Sequence, residues 1–126
     1  MISATAIKEY AYGLGFDSVR LTGAAAFPEA ERTIKERIAG GLMDGLPWFT
    51  AERADVSCYP DALLPQAQSI IALAMCYLTR LPETSEEPAG GPRGQISRYA
   101  WGDDYHELIK PKLQQFAEWL RTQAGA

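Results

Sequence analysis

Most of the side chains able to do unusual chemistry in this chain fall in one stretch, Ile96-Ser97-Arg98-Tyr99-Ala100-Trp101-Gly102-Asp103-Asp104-Tyr105-His106. Eleven positions hold an arginine, two tyrosines, a tryptophan, two aspartates and the only histidine of the 126-residue chain. The stretch follows a Pro/Gly-rich segment and runs into a helical pattern. Polar and aromatic groups set just before a helix start suit the binding of a large, flat, polar ligand.

Each group has a chemical and a plainer reading. Asp104-Tyr105-His106 has the spacing that opens D-x-H-x-x-G, a signature by which some proteins donate a histidine to the cobalt of cobalamin. The sixth position is Ile109, so the match fails. His106 then reads either as a first-turn histidine bonded to a neighbour or as a proton carrier, and no Ser or Cys nucleophile is evident beside it. Arg98, Tyr99 and Trp101 suit a ligand wall, the guanidinium bonding amides or phosphate and the rings stacking on a macrocycle. Equally, Tyr99 and Trp101 are candidate core aromatics and Arg98 a partner for Asp103. Asp103 and Asp104 have the types for acid–base work, but a helix cap and a macrodipole partner are better supported locally. Trp48-Phe49 is either an exposed aromatic hook or a plug that seats a loop on the core. Gly40-Gly41 and Gly90-Gly91 fit neither G-x-G-x-x-G nor the P-loop.

The elements that must position these groups read as follows. Ser3 caps a helix with Ile7, Tyr10, Ala11 and Leu14 on its apolar face, and Gly13 and Gly15 stop it. Ser18 to Gly23 alternates as a short strand. Pro28 to Ile38 is a second helix, closed by Gly40-Gly41. Leu42 to Thr50 is loop or broken helix, interrupted by Gly45 and Pro47. Asp61 to Pro65 is a turn into Ser69–Tyr77, whose continuous apolar run suits a central strand buried on both faces, with a two-turn buried helix as competitor. Thr79 to Gly94 is expected as a flexible surface loop. Asp104 caps the last helix with Glu107 as capping-box partner. The stripe of that helix is Tyr105, Ile109, Leu113, Phe116 and Leu120, and Pro111 is expected to kink or restart it.

This order predicts an α/β (α+β) fold, a small mixed sheet flanked by helices. Two strands make a poor sheet for a chain of this length. The domain is therefore expected to be incomplete, lacking downstream strands, with an unpaired sheet edge as a place for self-association.

Bulk properties narrow the function. The net charge of -4 gives no overall basic field for nucleic acid. Arg93 and Arg98 are the only cations near the aromatic stretch, so nucleic-acid affinity is not expected to reside here. Cys58 and Cys76 make no C-x-x-C, which leaves neither a zinc site nor an iron–sulfur cluster to be built from this chain. They make no secreted disulfide framework either. The longest apolar run, Ile70 to Leu78, is nine residues, whereas a bilayer span takes about 20. No signal peptide is visible, so the expected location is cytoplasmic.

Four blocks then appear in order: Leu14-Gly15-Phe16-Asp17, Met43-Asp44-Gly45-Leu46-Pro47-Trp48-Phe49, Leu63 to Ile71, and Arg98 to His106. Together they resemble the N-terminal, cobalamin-side domain of the epoxyqueuosine reductase family, over essentially residues 1–126. The resemblance implies an oxidoreductase of queuosine biosynthesis that reduces epoxyqueuosine to queuosine in the tRNA anticodon loop, using cobalamin and two [4Fe–4S] clusters. Reduced cobalt attacks or delivers electrons to the epoxide carbon, an acid protonates the departing oxygen, and elimination gives the cyclopentene.

Cobalamin is held in that family without a protein histidine on cobalt, consistent with the failed histidine signature. The positions implied as cofactor-binding are Arg98, Tyr99, Trp101, Gly102, Asp104, Tyr105 and His106. Ser97 stands where some members carry a cysteine near cobalt, and serine is a poor soft-metal ligand. The family's catalytic acid and cysteine-rich segments are not in this sequence, so no catalytic residue and no metal ligand is expected in it, and the chain alone is expected to be inactive. The rivals are a cobalamin-processing or other corrinoid reductase domain, and a non-catalytic α/β interaction module. The latter would bind a protein partner and no corrinoid.

Overall fold

The structure is a computed structural model and describes residues 2–78, 80, 91, 94 and 96–125. The expected loop Thr79–Gly94 and Arg93 therefore lie largely outside the described residues. Among those described, the fold is α/β: helices α1 (Ala4–Gly13), α2 (Pro28–Ala39), α3 (Ala51–Ser57), α4 (Pro60–Leu63) and α5 (Tyr105–Ala124), strands β1 (Ser18–Gly23) and β2 (Ser69–Ala74), and a 3₁₀ turn at Arg98–Ala100. The two strands form one sheet. They run antiparallel, Asp17 meeting Ala74 at one end and Ala24 meeting Gln68 at the other. The chain divides into two compact units, residues 1–20 with 73–126, and residues 21–72.

In the first unit, Ser3 Oγ accepts the Ala6 N–H at 3.1 Å and starts α1 as expected. Gly15, at φ +87, turns the chain out of the helix through a conformation that costs any L side chain about 1–2 kcal/mol. The core is Ile7, Ala11, Phe16, Val19 and Phe116. Tyr10 stacks on Trp119 with ring centroids 4.2 Å apart, and both lie within about 6.3 Å of Phe116. That aromatic packing docks the C-terminal half of α5 on α1. Helix α5 runs unbroken through Pro111, so proline does not restart it. Its missing N–H leaves the Glu107 carbonyl without the usual intrahelical donor. Of the expected stripe, Phe116 is buried and Ile109 and Leu120 half-buried, whereas Tyr105 and Leu113 are exposed.

In the second unit, α2 opens with Pro28 in its first turn, ends at Ala39, one residue beyond the expected Ile38, and closes at Gly40 as expected. Residues 42–50 are turns, as the Gly and Pro pattern required. Helix α3 was not expected. It is one short element capped by Thr50, whose hydroxyl accepts the Arg53 N–H at 3.2 Å. Ala54 is its buried residue, and Cys58 at its C-cap and Pro60 at the start of α4 are buried after it. The turn expected at Asp61–Pro65 is partly helical, as α4, and the Asp61 carboxylate takes the Gln66 N–H at 2.6 Å.

The Ser69–Tyr77 run needs correction as a strand buried on both faces. The strand ends at Ala74 and pairs among the described residues with β1 alone. Ile70, Ile71 and Leu73 are half-buried, and Ser69, Ala72 and Ala74 are exposed. Burial on both faces needs a layer on each side of the sheet, and the described residues supply too few elements for that.

Candidate functional site

A cavity of about 440 Å³ lies in the first unit, lined by Met75, Cys76, Tyr77, Arg98, Tyr99, Trp101, Asp103, Tyr105, Leu108 and Ile109. Ordinary small-molecule pockets run roughly 300–1,000 Å³ and combine apolar walls with a few polar groups. Three segments build it: the exit of β2, the 3₁₀ turn with the residues after it, and the first turns of α5.

Its walls are mostly aromatic, and the rings are in contact. Tyr77 meets Tyr99 edge-on at 6.3 Å, and Tyr99 meets Tyr105 edge-on at 6.1 Å. The three residues are 62%, 52% and 42% exposed, so part of each ring is open to a ligand, although His106 covers one face of Tyr105. The Arg98 guanidinium stands 6.0 Å over the Trp101 ring, in the range of a cation–π contact. The Trp101 indole N–H donates to the Ile96 carbonyl at 3.1 Å and fixes the ring. Gly102, at φ +82, bends the chain between Trp101 and Asp103 so that both reach the wall.

Of the residues implied by the resemblance, Arg98, Tyr99, Trp101 and Tyr105 line the cavity, whereas Gly102, Asp104 and His106 do not. Tyr99 is an exposed wall residue and not a core aromatic. Asp104 works as the α5 cap, accepting the His106 N–H at 2.9 Å with the His106 Nδ1 2.7 Å from the same oxygen. That backbone bond first, and the imidazole second, hold the Asp104 carboxyl below the usual carboxylate range. The His106 ring also stacks on Tyr105, centroids 4.0 Å apart. Asp103, which the sequence favoured as a helix-end partner, is on the cavity wall.

The sequence reading missed Met75, Cys76, Tyr77, Leu108 and Ile109 as wall residues. Met75 to Tyr77 looked like the end of a strand, and nothing local marked it as leaving the sheet. A thiol does line the cavity: Ser97, which replaces one in the resemblance, is outside it, but Cys76 is in it, exposed and free. Among the described residues no cluster of three His, Cys, Asp or Glu side chains stands ready for a metal ion. Both cysteines are free, Cys58 being buried.

The second unit holds a separate polar cluster. Lys35 Nζ lies 2.5 Å from Asp55 and 2.6 Å from Glu31, and the Tyr59 hydroxyl donates to Glu31 at 2.6 Å. The bonds to Asp55 and then Glu31 hold the Lys35 ammonium well above its ordinary range, and Glu31 raises the Tyr59 hydroxyl. Lys35 and Tyr59 together hold Glu31 down. This cluster ties α2 to α3. Phe49 closes a small cavity of about 60 Å³ beside Ile34 and Ala54, whereas Trp48 stays 56% exposed. Phe49 is itself 36% exposed, so both rings of the pair are open to solvent and neither is a buried plug.

The family described as Epoxyqueuosine reductase QueG, DUF1730, matches residues 58–126, which include every residue of the aromatic cavity. The epoxyqueuosine reductase of Staphylococcus aureus strain NCTC 8325 is 32% identical over 118 residues, 92% of this chain and 30% of that protein. The fold is similar to a solved structure of epoxyqueuosine reductase from Streptococcus thermophilus, with a TM-score of 0.80 at 26% identity, covering 98% of this chain and 32% of that one. A crystal structure of epoxyqueuosine reductase with an epoxyqueuosine-modified tRNA-Tyr stem loop gives a TM-score of 0.78 at 28% identity, covering 94% and 31%. The chain spans about a third of the length of these relatives. On the match through residues 58–126 and the shared fold, the chain belongs to the epoxyqueuosine reductase family.

Proposed function

We propose that this chain is the N-terminal, cobalamin-side part of an enzyme that reduces epoxyqueuosine to queuosine in tRNA, and that its aromatic cavity forms part of the cobalamin and substrate pocket. The observation that carries this reading is the convergence of Arg98, Tyr99, Trp101 and Tyr105 on one cavity inside the segment matched by the family. The wall fits the group: exposed ring faces suit the flat macrocycle, and Arg98 offers donors to its amide or phosphate periphery. When bound, cobalamin supplies a reducible cobalt centre for opening the epoxide.

In this reading the chain's residues bind and orient. Tyr77, Tyr99 and Tyr105 cover one side of the ligand and keep water from it. His106 stays on Asp104 and gives nothing to cobalt. The proton for the departing oxygen and the iron–sulfur clusters belong to other segments of the enzyme, as does most of the tRNA affinity. A stem loop of tRNA bearing epoxyqueuosine is bound in the related crystal structure, which supports tRNA as the substrate here. A cytoplasmic location follows from that substrate. Among the described residues β1 and β2 pair only with each other, which keeps self-association through a sheet edge a route.

Reconstitution tests the division of labour. The chain is incubated with an epoxyqueuosine-modified stem loop, a corrinoid and a chemical reductant, and queuosine is read by mass spectrometry. Uptake of the corrinoid without conversion is expected. Conversion by the chain alone would show that it carries an acid, and would overturn that part of the reading.

A further inference from the structure

The turn Leu14–Asp17 contributes nothing to the cavity wall, yet two walls of the cavity are tied to it. Oδ2 of Asp17 accepts the Cys76 N–H at 2.7 Å, and the Asp17 N–H donates to the Ala74 carbonyl at 2.9 Å. The two bonds bracket Met75. Strand β2 ends at Ala74, so the carboxylate stands in for a strand carbonyl one step past the ladder and sets the path of Met75–Tyr77. A backbone N–H bonded to a charged oxygen is held more firmly than by a neutral one.

The opposite wall belongs to α5, and Lys112 on that helix donates from Nζ to the Leu14 carbonyl. Gly15 lies between these two anchor points, and a Cβ there would meet Lys112 Nζ at 3.0 Å. Phe16, buried and bonded through its N–H to the Ala11 carbonyl at 3.2 Å, pins the turn to α1.

We propose that Asp17 is a positioning residue for the cavity, its carboxylate fixing the Met75–Tyr77 wall at the spacing from α5 that a ligand requires. The role in ligand binding rests on the corrinoid reading of the cavity, while the role in fixing the wall does not.

The test compares the wild-type chain with Asp17→Ala and Asp17→Asn, the amide retaining an acceptor oxygen. Amide hydrogen exchange is read at Cys76, with Ala11 and Val19 as core references, and each form is titrated with cob(II)alamin. Asp17→Ala is expected to speed exchange at Cys76 and to weaken cob(II)alamin binding, each by about tenfold. Ala11 and Val19 should be unchanged, and Asp17→Asn should restore most of both losses. Unchanged exchange at Cys76 would overturn the proposal, as would equal acceleration at Ala11 and Val19, which would make Asp17 a residue of the general fold. Local acceleration with full cob(II)alamin affinity would remove the ligand role, and an Asn variant no better than Ala would remove the acceptor role. Should the wild-type chain take up no cob(II)alamin, the corrinoid reading fails and the exchange data alone decide whether Asp17 fixes the wall.

Discussion

One carboxylate oxygen, Oδ1 of Asp104, holds His106 twice: it accepts the backbone N–H at 2.9 Å and lies 2.7 Å from Nδ1. The only histidine of the chain is thereby drawn back onto the helix cap and away from the cavity. Replacing His106 by Gln should therefore change cob(II)alamin affinity by less than about fivefold, the scale of an exposed pair. Visible-absorption titration checks this, and loss of binding would return His106 to the list of ligands.

The opposite is expected of Tyr99. Its ring is the middle of the Tyr77–Tyr99–Tyr105 contact chain and more than half exposed. Tyr99→Ala should leave the melting temperature near wild type and weaken corrinoid binding by about fivefold, the scale of one aromatic contact. Equal affinity in the variant would mean that the rings pack only on one another.

The cap makes α5 sensitive to acid. The Asp104 carboxyl is held below its ordinary range in the folded chain, chiefly by the His106 N–H. Because the folded value is the lower one, the stabilisation is complete above the unfolded carboxylate range and is lost as pH falls through the folded value. Corrected for its intrinsic pH dependence, amide exchange at His106 should rise on acidification below the usual carboxylate range. In Asp104→Ala that rise should be absent, since the cap is already gone.

Phe116 is the buried anchor of α5, beside the stacked Tyr10–Trp119 pair. Phe116→Ala should cost about 3–5 kcal/mol, most of the stability of a small domain. Thermal melting by circular dichroism reads it, and a shift of only a few degrees would show that α5 does not depend on α1.

Local chemistry was legible in the sequence and long-range geometry was not. Ser3, Gly40 and Asp104 mark helix ends because a cap is set within four residues, and β1 was read from its own alternation. Helix α3 escaped because seven residues are too few for a clear apolar period. The aromatic half of the cavity was visible in Arg98–Tyr105, where its residues are neighbours in sequence. The other half was hidden, because Met75–Tyr77 leaves the sheet through a bond to Asp17, 59 residues away. The bond of Lys112 to Leu14 spans 98 residues and had no local signature.

The measurement that bears most directly on the account is titration of the purified chain with cob(II)alamin, followed by visible absorption and electron paramagnetic resonance. The account predicts a saturable change to a base-off signal without nitrogen coupling from His106, weakened in Tyr99→Ala and preserved in His106→Gln. A spectrum unchanged at saturating chain, or a change that Tyr99→Ala leaves intact and His106→Gln abolishes, would contradict it.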